Sequence, residues 1–149
     1  MTIEEAIQQK QFSNEIEKAI VNVLFTANYF YLQNVQLFKP HAISPEQYNV
    51  LRILRGSHPG KLNLIDISSR MLDRNSNATR LVEKLRLKGL VDRKASDNDR
   101  RQVEIGITQA GLNLLDTLDL DQKKWIEKNK GIGNDEARIL NSLLDKMRG

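Results

Sequence analysis

The segment from Asn63 to Thr108 constrains the fold more than any other part of the chain. It holds two short helical patterns with a tight junction, then two strand-like runs around a charged turn. In the first pattern, Asn63 to about Met71, the residues Leu64, Ile67 and Met71 share one face and Asn63 is placed to cap it. After a break at 72–74, the second runs from about Asn75 to Lys88, apolar at Ala78, Leu81, Val82 and Leu85. Gly89 follows where a helix end favours glycine. Asn75, Ser76, Asn77, Thr79 and Arg80 occupy the opening turns of this second helix, and the pair reads as a helix-turn-helix. Residues 90–93 form a short strand-like run, and 102–108 alternates with Val103, Ile105 and Ile107 on one face. The polar stretch 94–101 between them predicts a hairpin with a charged tip, a wing beside the second helix. Gly106 weakens the second strand of that wing.

Helices flank this segment on both sides. Thr2 and Glu5 are spaced as a capping box for a leading helix over 3–11, and Asn14 and Glu17 as another for a long helix. In the long helix Ile16, Ile20, Val23, Ala27, Phe30 and Tyr31 recur at helical spacing, and Leu24 and Phe25 widen the apolar surface beyond one stripe. Lys39-Pro40-His41 ends it. Ser44-Pro45-Glu46-Gln47 starts another, with Val50, Leu51, Ile53 and Leu54 as its buried face, and 56–60 reads as a loop. Thr108-Gln109-Ala110-Gly111 opens a helix to about Asn129. Asn134, Asp135 and Glu136 cap and charge a last one, with Ile139, Leu140, Leu143, Leu144 and Met147 on one face. Outer helices this apolar, in a chain of 149 residues, point to association between copies.

The net charge is +4, but it is unevenly spread: residues 52–109 hold 13 Lys/Arg against 7 Asp/Glu. A basic middle between slightly acidic ends suits a nucleic-acid-binding module, and equally an ordinary solvated surface. With no cysteine there is no disulfide, thiolate metal site or thiol switch. No apolar run is long enough to span a bilayer, and the acidic N-terminus does not read as a signal peptide, so a cytoplasmic protein without membrane contact is expected. No glycine-rich phosphate loop occurs, and His41 and His58 lie 17 positions apart, each in a proline-containing loop. Neither catalysis nor a metal or other cofactor is expected.

Two stretches, 72–93 and 97–111, resemble the recognition helix and wing of the MarR regulators. In the second, Asp99 and Arg101 fill the family's acidic-x-arginine pattern, and Ile107-Thr108-x-x-Gly111 closes it with isoleucine in place of leucine. The strand glycine, Gly106, is a departure. The resemblance implies a mainly α fold with a small β-hairpin wing. It implies a winged helix-turn-helix lobe over 44–108 and dimerisation helices over 1–40 and 109–149. It also implies that the helix from Asn75 enters the major groove of double-stranded DNA. There Asn77 and Arg80 suit paired contacts to base edges, and Ser76 and Thr79 suit phosphates or bases. Arg101 would reach a minor groove, Asp99 would hold the wing by pairing with Arg101 or Arg100, and Arg93 and Lys94 would meet phosphates.

The same resemblance implies a homodimer reading an inverted repeat, and release by a small aromatic effector. Tyr29, Phe30, Tyr31, Tyr48 and Arg52 are candidates for that ligand's site, with core or dimer packing as the competing reading. The competing reading for the whole chain is a winged helix used for protein contact without DNA readout.

Overall fold

The computed structural model describes residues 1–149. Helices α1 (Ile3–Ile7), α2 (Glu15–Phe38), α3 (Pro45–Ser57), α4 (Leu64–Arg70) and α5 (Ala78–Leu87) precede strands β1 (Val91–Ala95) and β2 (Val103–Ile107). Helices α6 (Gln109–Asn129) and α7 (Asn134–Arg148) complete a mainly helical winged helix-turn-helix. The chain forms two compact units, Met1–Leu115 and Asp116–Gly149.

In the first unit, caps decide where helices begin. Thr2 and Glu5 form the expected box, but α1 stops at Ile7 rather than at residue 11 because Gln8 turns left-handed at φ 56°. Asn14 Oδ1 accepts from the Glu17 N–H, while the Glu17 carboxylate takes the Ser13 N–H instead of closing the box on Asn14. That bond to Ser13 holds the Glu17 carboxyl below its ordinary pKa. Residues 39–41 tighten into a 3-10 turn. Ser44 and Gln47 then exchange both bonds of a capping box, each at 3.1 Å. Helix α3 continues through Gly56 and Ser57, which composition alone reads as loop; a side chain at Gly56 would meet only open space.

Val50, Leu51 and Leu54 of α3, Ile67 of α4, and Val82 and Leu85 of α5 are buried, and α3 packs against α4, α5 and β2. Each such side chain stabilises the unit by about 1.5–3 kcal/mol relative to exposure. Helix α5 ends on Gly89 at φ 71°, with the Leu90 N–H on the Leu85 carbonyl and the Gly89 N–H on that of Arg86.

Strands β1 and β2 pair antiparallel, Val91 opposite Ile107 and Ala95 opposite Val103. Thus β1 reaches through Lys94 and Ala95, two residues beyond the expected strand. On the other side of β2 Leu62 forms a single bridge, exchanging two backbone bonds with Ile105 at 2.8 and 3.0 Å. The chain then leaves the sheet at Thr108. Its Oγ1 donates to the Gly89 carbonyl at 2.7 Å and accepts the Gly111 N–H at 3.1 Å, while its own N–H reaches the Leu90 carbonyl. One threonine therefore ties the end of α5, the exit from β2 and the start of α6.

The second unit is different in kind. Helix α7 buries none of its residues, and Ile139 stays 61% exposed, with Leu140, Leu143 and Met147 about half exposed. Its first turn is held by the Glu136 carboxylate, which accepts the Gly133 N–H at 2.7 Å, so Gly133 rather than Asn134 is the cap residue. No helix is long and apolar enough to cross a membrane.

Candidate nucleic-acid interface

Helix α5 begins at Ala78, three residues later than its sequence suggests. Asn77 is its cap, with Oδ1 accepting from the Arg80 N–H at 3.0 Å. Asn75 and Ser76 therefore belong to the turn, where their N–H groups bind the Asp73 carboxylate and carbonyl at 2.9 and 3.2 Å. This alters what Asn77 can offer. A paired contact to adenine uses both amide atoms, and here the oxygen already serves the helix. Thr79 and Arg80 are exposed on the first turn, where the helix dipole adds positive character.

Beside that turn lies an open cleft of about 550 Å³ between α4 and the start of α5. Ser68, Ser69, Arg74, Ser76, Asn77 and Thr79 contribute its polar walls. The Arg74 guanidinium donates to the Ser69 carbonyl at the end of α4, and Ser76 Oγ is buried without a partner. Arg74, Ser68 and Ser69 belong to no motif in the sequence. The signal available was a basic residue in the polar break between two short helices.

In the wing, Arg93, Lys94, Arg100 and Arg101 are all exposed. Arg93 lies within electrostatic reach of Glu83 on α5. That carboxylate already accepts from Arg86 at 2.7 and 3.0 Å, and the Arg86 bond leads in holding its carboxyl below the ordinary pKa. The tip is shaped by Ser96, whose N–H binds the Gln102 carbonyl at 2.9 Å and whose Oγ accepts from the Asn98 N–H. Asp99 does hold the tip, but through the backbone. Its Oδ1 accepts the Arg101 N–H at 3.0 Å and its carbonyl accepts the Gln102 N–H at 2.9 Å. The expected pairing with an arginine guanidinium is replaced by this turn, which leaves the Arg101 side chain pointing into solvent.

The effector candidates are brought together only in part. Tyr48 is buried against Phe38, ring centroids 4.4 Å apart, and Arg52 lies over its ring at 5.8 Å while donating to its hydroxyl at 3.2 Å. Tyr31 on α2 donates to Glu46 on α3 at 2.9 Å, and that bond leads in raising the phenol above its ordinary pKa. Tyr29 packs edge-on against Phe30 instead. No group of three or more His, Asp or Glu residues is placed to hold a metal ion.

The sequence model of the MarR family matches residues 43–103. The chain is 32% identical over 108 residues to the HTH-type transcriptional regulator MhqR of Bacillus subtilis, covering 72% of this chain and 73% of that protein. It is 26% identical over 117 residues to the HTH-type transcriptional repressor IacR of Pseudomonas putida, covering 77% and 69%. A MarR transcription factor from Planctomyces limnophilus superposes with a TM-score of 0.69 at 30% identity, over 93% of this chain and 98% of that one.

Proposed function

The chain belongs to the MarR family of transcriptional regulators, and on that footing we propose that it represses transcription by binding an inverted-repeat operator as a homodimer. The observation that carries this reading is the first turn of α5. Thr79 and Arg80 stand exposed there beside a polar cleft, in the most basic part of the chain. In this reading residues 44–108 are the DNA-binding lobe, with α5 in the major groove. Arg80 reads a base edge, Thr79 meets a phosphate or base, and Asn75 and the free amide hydrogens of Asn77 add single contacts, while Ser76, its Oγ buried, belongs to the turn and not to the DNA surface. Arg101 enters a flanking minor groove, and Arg93, Lys94 and Arg100 follow the backbone. The outer helices, over 1–40 and 109–149, join two copies.

Selection of bound sequences from a random duplex pool, followed by anisotropy titration over a salt series, tests it. An inverted repeat bound with steep salt dependence is expected. Absent or salt-independent binding would instead favour a winged helix used for protein contact. A small aromatic acid that releases the DNA is part of the same proposal. Arg52, exposed beside the Tyr48 hydroxyl, supports it, because a guanidinium suits the carboxylate of such a molecule.

A further inference from the structure

Gly106 stands in the middle of one row across the hairpin and the bridge that Leu62 adds beside β2. Leu62 pairs with Ile105, which sets Lys61 beside Gly106, and Asp92 is the Gly106 partner on the other strand. Lysine, glycine and aspartate thus lie side by side, on the face opposite buried Ile105. The missing side chain is filled from both flanks. A Cβ built on Gly106 would lie 3.1 Å from Asp92 Oδ1, 3.4 Å from Lys61 Cγ and 3.5 Å from Lys61 Cε. The same Asp92 Oδ1 is buried and has no hydrogen-bond partner. An unpaired buried carboxylate oxygen is costly, and the lysine chain already lies across the gap that leads to it. In the next row on the same face Lys94 stands opposite Glu104, whose carboxylate accepts from Ser96 Oγ at 3.3 Å, and Arg93, adjacent in sequence, lies within reach of Glu83, so each nearby cation has another carboxylate.

We propose that Lys61 and Asp92 close into an ion pair over Gly106, and that this latch holds the wing to the segment leading into α4, making both positioning residues for DNA binding. Glycine is needed there because any side chain would separate the pair. The strand glycine that departs from the family pattern is, in this account, what lets the latch form.

The effect on DNA rests on the proposed operator reading, so the test has one arm without DNA. In the free protein, hydrogen exchange of the backbone amides from Lys94 to Arg101 is expected to quicken in Lys61→Met, in Asp92→Asn and in Gly106→Ala. Unchanged exchange in the first two would overturn the latch, whether or not the wild-type chain binds DNA. With the selected operator, each single variant is expected to weaken binding about fivefold, the scale of one partly buried ion pair. The double variant should be no weaker than either single one, and the salt slope should hold. A Lys61→Met slope lower by about one, with Asp92→Asn binding as tightly as wild type or tighter, would mean that Lys61 meets a phosphate directly and would also overturn it. That arm discriminates because removing a negative charge beside DNA weakens binding only if the charge was holding something in place.

Discussion

At the residue scale, the wing tip separates two jobs that the Asp99-x-Arg101 motif, read as sequence, combines in one ion pair. Asp99 shapes the turn through the Arg101 N–H, and the Arg101 guanidinium is left free. Arg101→Ala is therefore expected to weaken operator binding and lower its salt slope by about one. Asp99→Asn, which keeps an acceptor for the same N–H, should bind nearly as wild type, while Asp99→Ala should bind more weakly. Titration of the three variants over a salt series checks this. Asn77 gives a second separation. Asn77→Ala should cost about 0.5–2 kcal/mol in urea unfolding, and Asn77→Ser, which still caps, should retain stability. Any loss of operator affinity in the serine variant then reports on the amide alone.

At the scale of elements, the link between β2 and α6 explains why threonine and glycine stand three residues apart. Thr108 binds the Gly89 carbonyl and the Gly111 N–H. A Cβ on Gly111 would run into the Leu90 carbonyl oxygen and come within 2.7 Å of Ile107 Cγ1. Alanine normally favours a helix over glycine by about 1 kcal/mol, yet Gly111→Ala should destabilise by about 2 kcal/mol or more, since backbone stands in its place. Chemical denaturation decides the sign. The bond from Tyr31 to Glu46 joins α2 to α3 and raises the phenol above 10.0. A raised pKa means that the contribution of this bond is complete below the unfolded value and is lost as pH rises through the folded one. Phenolate absorbance should show one tyrosine ionising earlier in Glu46→Gln than in wild type.

Much of this level is legible in the chain itself. Caps and apolar spacing locate α3, α4 and both wing strands, because each depends on neighbours a few residues away. The start of α5 is displaced because Asn75, Ser76 and Asn77 are all competent caps, and burial of Ala78, Val82 and Leu85 chooses among them. The bridge beside β2 is a single buried leucine, too short to show alternation. Likewise, a carboxylate that binds a backbone N–H leaves no mark in composition, so the Asp99 turn looks like an ion pair.

For the whole molecule, the decisive feature is that α7 buries nothing while presenting Ile139, Leu140, Leu143 and Met147. Apolar surface of this kind calls for a partner, and the partner proposed is a second copy. Sedimentation at micromolar concentration should therefore show a dimer. Leu140→Asp with Leu143→Asp should yield a species of half that mass whose operator affinity falls steeply while its wing amides exchange as before. A wild-type monomer would sink the dimeric reading.

The unfilled face of α7 also bears on how such a regulator responds to its own abundance. If only paired chains grip an operator, then at copy numbers low enough that most chains are unpaired, occupancy rises with the square of the number of chains. Halving synthesis in that range lowers occupancy about fourfold, a steepened response that needs no added part. A helix with nothing to cover it becomes a means of counting molecules.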